Sequence, residues 1–138
     1  MLSDVQIKFY RKNGYLIVEN LLAGDHRNCL CQRALDVILD RTESAGSMKI
    51  MMEGRTDIQS VPVEEREARA NRLFNPHLHE SFFFDYAAHP PVLDVIEPLI
   101  GEDIKLIQSM FFFRPKGGVG QPYHQDSFYL KAEPDTLI

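Results

Sequence analysis

Hydrophobic residues recur at helical spacing from the start of the chain. Val5, Phe9 and Tyr10 mark one face of a short amphipathic helix, with a Ser3/Gln6 capping box at its beginning and Gly14 as its C-terminal cap. Tyr15-Leu16-Ile17-Val18 is a β-prone run and predicts a strand ending at Glu19-Asn20. Asp25 then opens a longer helix whose apolar positions are Leu30, Ala34, Val37 and Ile38, running through Arg41 and closed by Gly46. From Ser47 to about Arg69 the pattern turns polar and irregular, with Met51-Met52, Gly54, Pro62 and the charge run Glu64-Glu65-Arg66-Glu67. A loop with one exposed helical turn is expected there.

Glu80 to Ala88 reads as a helix that cannot continue into Pro90-Pro91, and Pro91 suits the first turn of a following helix that runs to Gly101. Beyond Gly101 the period changes. Ile104, Leu106, Gln108, Met110 and Phe112 alternate with Lys105, Ile107, Ser109, Phe111 and Phe113, which predicts a long strand, apolar on both faces and therefore buried. Lys116 to Pro122 is a glycine-rich turn, and Tyr123 to Leu130 is a second β-prone run. Helices over 1–101 followed by strands over 103–138 argue for a single domain of the α+β class.

A length of 138 residues suits one domain, and 44% apolar with 25% charged residues is an ordinary globular balance. The net charge of -5, with no Lys/Arg cluster to neutralise phosphates, makes nucleic acid an unexpected partner. No apolar stretch approaches the roughly 20 residues that span a bilayer, and no basic-then-apolar leader opens the chain, so a cytoplasmic protein without a membrane partner is expected. Cys29 and Cys31, two apart on a predicted helix, point away from each other and read as small hydrophobes rather than as a disulfide or thiolate pair.

The residues that carry chemistry are His124 and Asp126. On a strand, a two-residue spacing projects both side chains from one face while Gln125 points the other way, so an imidazole and a carboxylate can reach one metal together. Two imidazoles and one carboxylate on one face of an octahedron leave three open positions, the arrangement of non-haem Fe(II) oxygenases. A second pair, His77 and His79, sits among Asn75, Pro76 and Glu80 and reads as the approach to a helix; His26 and His89 have equally plain readings.

The wider pattern resembles the phytanoyl-CoA dioxygenase family. The resemblance rests on Met110-Phe111-Phe112-Phe113-Arg114-Pro115, then Gly117-Gly118, then His124-Gln125-Asp126-Ser127-Phe128-Tyr129, then Pro134, Leu137 and Ile138; Phe9 to Leu16 is similar to the family's first helix and the stretch after it. It implies a double-stranded β-helix, a jelly roll of the cupin kind, and an Fe(II)- and 2-oxoglutarate-dependent dioxygenase that uses O2 to hydroxylate a small organic substrate, releasing succinate and CO2. It further implies His124 and Asp126 as catalytic iron ligands, with Met110, Gln125 and Arg72 close to the co-substrate.

The family also carries a second histidine and a 2-oxoglutarate-binding arginine far downstream of His-Gln-Asp, and neither follows Asp126 before Ile138. The chain is therefore expected to be the N-terminal portion of such a domain, an incomplete form of low or no activity by itself. Its exposed sheet edge would favour pairing into a homo-oligomer. Two other classes compete: a non-catalytic metal-binding β-domain, and a zinc hydrolase built on His77, His79 and His124.

Overall fold

A three-stranded antiparallel sheet, in the order Lys49–Met52, Ala70–Phe74, Met110–Phe112, packs one face on the hydrophobic core. The computed structural model describes residues 2–52, 54, 57–114, 120–133 and 137. In chain order the elements are α1 (Asp4–Asn13), α2 (Gly24–Ile38), β1 (Lys49–Met52), α3 (Val63–Arg69), β2 (Ala70–Phe74), α4 (Ser81–Ala87), α5 (Pro90–Ile100) and β3 (Met110–Phe112), with short 3-10 turns between several of them. No helix among the described residues is long and apolar enough to cross a membrane.

The first helix forms as its caps dictate. Ser3 and Gln6 make the reciprocal capping box, and Gly14, left-handed at φ 78°, donates its N–H to the Tyr10 carbonyl. The second helix ends earlier than expected. Asp40 takes the left-handed conformation at φ 59°, and the Arg41 N–H returns to the Asp36 carbonyl at 2.8 Å, a Schellman closure built on an aspartate. Gly46 lies instead in the 3-10 turn Ala45–Ser47.

Register sorts the sheet into two faces. Ile50 pairs with Leu73 and Leu73 with Phe111, while Met51 pairs with Arg72 and Arg72 with Phe112. The first row packs on the core: Leu73 is fully buried beside Ala34, Val37 and Ile38 of α2, Met52, Ile58, Val61 and Phe83, with Ile50, Phe111 and Phe113 against that cluster. The second row, Met51, Arg72, Phe112 and their neighbours Phe74 and Met110, forms the opposite face. A bulge between Met51 and Met52 lets Met52 pair with Ala70 rather than Asn71.

Several expectations are overturned. Tyr15–Val18 forms no strand; Tyr15 and Ile17 are exposed, and no described strand pairs with them. Residues 47–69 are more than a loop, since they hold β1 and all of α3, and the supposedly solvated charge run contains Arg66, which is buried. Its Nε donates to the Val61 carbonyl at 3.1 Å and its Nη1 reaches the Ile38 carbonyl at 3.5 Å, so a cation sits at the negative end of α2.

The alternating run 104–113 is exposed at Lys105–Ile107 and half-buried elsewhere, and it is paired as a strand only at Met110–Phe112. Its partner β2 stops there: Asn75 turns left-handed at φ 51° into a 3-10 turn, and residues 103–109 pass beyond the strand's end. Asn75 nevertheless caps the junction, donating its N–H to the Ser109 carbonyl at 2.8 Å while its side chain accepts from the Ser109 N–H at 3.1 Å. Strands are thus interleaved with helices rather than confined to 103–138; the α+β class holds, its predicted segregation does not. The glycine-rich turn expected at Lys116 to Pro122 falls partly outside the described residues.

Candidate functional site

Tyr123 to Leu130 is not a strand. It carries a 3-10 turn at Asp126–Phe128, and Tyr123, Phe128 and Tyr129 are exposed. His124 and Asp126 come together all the same, because Gln125 between them is extended at φ -105° and ψ 132°, and an extended residue keeps its neighbours on one side.

The geometry of the pair follows from donor chemistry. His124 Nδ1 lies 2.8 Å from the Pro122 carbonyl, which can only accept, so Nδ1 carries the hydrogen. Nε2 is then left facing Asp126 Oδ1 at 3.3 Å. An imidazole lone pair aimed at a carboxylate is repulsive unless something positive lies between them, either a proton on Nε2 or a cation. Two ligands at right angles on one cation with bonds of roughly 2.1 Å lie about 3.0 Å apart, so the observed separation suits a shared metal. The Nδ1–H bond to a backbone carbonyl is the outer-shell support that metal-binding histidines use. Tyr129 sets its ring edge-to-face on the imidazole at 5.6 Å between centroids. The side chains of His124 and Asp126 are 29% and 52% exposed, open enough for a ligand to reach.

Arg72 and Met110 are brought together on the sheet's second face. Arg72 Nε approaches Met51 Sδ at 3.1 Å and its Nη1 lies 4.0 Å from Met110 Sδ, while the guanidinium sits 5.8 Å from the Phe112 ring centroid. Thioethers are weak acceptors, so this cation is gripped loosely and keeps its capacity for a carboxylate. Gln125 uses its backbone carbonyl to accept from the Phe128 N–H at 3.1 Å. A shallow cleft of about 140 Å³ is lined by Asn71, Arg72, Phe112, Arg114, Gly120 and Gln121. Gln121 and His124 are three positions apart, so their Cα atoms lie within about 11 Å.

His77 and His79 do not join His124. Among the described residues no three His, Cys, Asp or Glu side chains gather around a common metal position, so the zinc set of His77, His79 and His124 is not formed. His77 instead pairs its Nδ1 with Ser109 Oγ at 2.5 Å. Burial, and then the neighbouring His79, hold its pKa below the ordinary histidine value. Arg114 also lines the cleft, a position given no role from the sequence although it is a cation two positions beyond Phe112 on an alternating run.

The model of the phytanoyl-CoA dioxygenase (PhyH) family matches residues 10–138, and the chain belongs to that family. A protein of Caenorhabditis elegans named probable phytanoyl-CoA dioxygenase is 27% identical over 146 residues, spanning 100% of this chain and 46% of that protein. The peroxisomal phytanoyl-CoA dioxygenase of Rattus norvegicus is 25% identical over 142 residues, spanning 100% of this chain and 41% of that protein. A probable alpha-ketoglutarate-dependent hypophosphite dioxygenase of Stutzerimonas stutzeri is 26% identical over 87 residues, 59% of this chain and 30% of that protein. The chain thus spans less than half the length of these curated relatives. No solved structure matches it significantly.

Proposed function

We propose that the chain contributes the first part of the active site of an Fe(II)- and 2-oxoglutarate-dependent dioxygenase that hydroxylates a small organic substrate. The observation that carries this reading is the His124–Asp126 pair, with Nδ1 committed to the Pro122 carbonyl and Nε2 at 3.3 Å from the carboxylate, in a member of a dioxygenase family. Fe(II) with 2-oxoglutarate and O2 would supply the oxidising power, the co-substrate leaving as succinate and CO2.

In this reading His124 and Asp126 hold the metal, and the Pro122 carbonyl fixes the imidazole tautomer so that Nε2 is the ligating atom. Arg72 offers its guanidinium to a co-substrate carboxylate, and Met51, Met110 and Phe112 shape an apolar wall around it. Gln125 contributes through its extended backbone, which keeps His124 and Asp126 on one side. The double-stranded β-helix is part of the same proposal, with β1-β2-β3 as a portion of its sheet. The cytoplasm remains the proposed compartment, to be decided by imaging the tagged protein, since the rat relative is named peroxisomal.

Anaerobic addition of Fe(II) and then 2-oxoglutarate to the purified protein tests the site. Asp126→Ala is expected to abolish the iron-dependent binding of 2-oxoglutarate, followed by calorimetry and by the visible charge-transfer band of the chelate. Unchanged binding in that variant overturns the reading.

A further inference from the structure

The second face of the sheet carries more positive charge than the co-substrate reading uses. Alternation places Lys49 and Met51 of β1, Arg72 and Phe74 of β2, and Met110 and Phe112 of β3 on that face, with Arg114 next in the same phase. Each cation lies against a ring: Lys49 Nζ is 5.2 Å from the Phe74 centroid, Arg72 is 5.8 Å and Arg114 4.8 Å from Phe112. One phenyl ring therefore carries two guanidiniums. Among the described residues neither Arg72 nor Arg114 forms an ion pair, although Arg33, Arg41 and Arg69 each have one.

Two like charges sharing a ring repel, and an anion between or beside them relieves the repulsion. The cleft lined by both arginines is also lined by Asn71, Gln121 and the small Gly120, with no carboxylate among the described lining residues.

We propose that Arg114, with Gln121, binds the anionic group of the primary substrate, a carboxylate or phosphate compound. This rests on the oxygenase reading for the word substrate, because that reading commits Arg72 to 2-oxoglutarate and leaves Arg114 free. A guanidinium offers paired donors to either oxyanion, and the neighbouring Gln121 can add one more. Gly120–Gln121 runs straight into Pro122–His124, so an anion held there would set the rest of a small molecule within reach of the metal pair.

Nitrogen-15 spectroscopy of the arginine side chains, with the purified protein at constant ionic strength, tests this with inorganic phosphate and with propionate as probes. The Arg114 Nε–H signal is expected to move saturably with at least one of them, phosphate indicating a phosphate ester and propionate a carboxylate substrate. Arg114→Gln, exposed and so without effect on folding, is expected to weaken that binding tenfold or more. A linear drift shared by all arginine signals, or unchanged binding in Arg114→Gln, overturns the proposal. Saturable binding at Arg114 alongside unchanged 2-oxoglutarate binding in Asp126→Ala would retain the anion site and overturn the oxygenase reading alone.

Discussion

The sheet region and the segment 120–133 contribute to the same candidate site by opposite means. Arg72 and Met110 are placed by pairing between strands nearly forty residues apart in sequence and by a core that includes fully buried Leu73, Val37 and Ile38. His124 and Asp126 are placed by bonds that reach no further than four residues: Nδ1 to Pro122, and the 3-10 turn in which the Tyr129 N–H meets the Asp126 carbonyl at 2.9 Å. One half of the site depends on global stability, and the other depends on local backbone conformation plus whatever binds it.

Leu73→Ala should have the largest effect. It removes a fully buried side chain from the inner face of the central strand, and a loss of about 2–5 kcal/mol in urea unfolding is expected. Arg72 and Met110 should lose their arrangement with it, while the His124–Pro122 bond persists in any state that keeps the local turn. Ser3→Ala tests a helix outside the buried core: it deletes one half of a capping box and should cost about 1 kcal/mol by the same measurement.

Asp126→Ala should change unfolding by no more than about 0.5 kcal/mol, because its side chain is half exposed and in no core contact, even as metal binding is lost. A large destabilisation there would erase the contrast between the two regions.

The smallest effect concerns pH. With the folded pKa of His77 held below the unfolded value, the unfolded chain binds more protons between the two. Its contribution to stability is therefore complete above about pH 6.5 and declines as pH falls toward the folded value. His77→Gln should flatten that part of the stability profile in thermal melts between pH 7.5 and 5.

What was legible in the sequence follows from the range of each interaction. The capping box of α1 and the proline start of α5 are written within a few residues, and both form as read. The end of α2 was misplaced because Asp40 adopts a left-handed conformation in which glycine is commoner. Strand β1 was invisible, since Lys49-Ile50-Met51-Met52 becomes a strand through pairing with a segment twenty residues on. Residues 104–109 were over-read because alternation says what a strand would look like, not whether a partner extends beside it. The His124–Asp126 pair was found through an incorrect strand, and the pairing survived because one extended residue suffices to bring both side chains to the same side.

The excursion from β2 to β3 leaves Phe74 and returns to pair Met110 with it, carrying α4 and α5 on the way. For a flexible loop, doubling the length would add only about 0.6 kcal/mol to the entropy of closing it. Phe83 ties α4 into the core, so length changes are inexpensive only in the links around the two helices, where they leave the registry of Arg72, Met110 and Phe112 untouched.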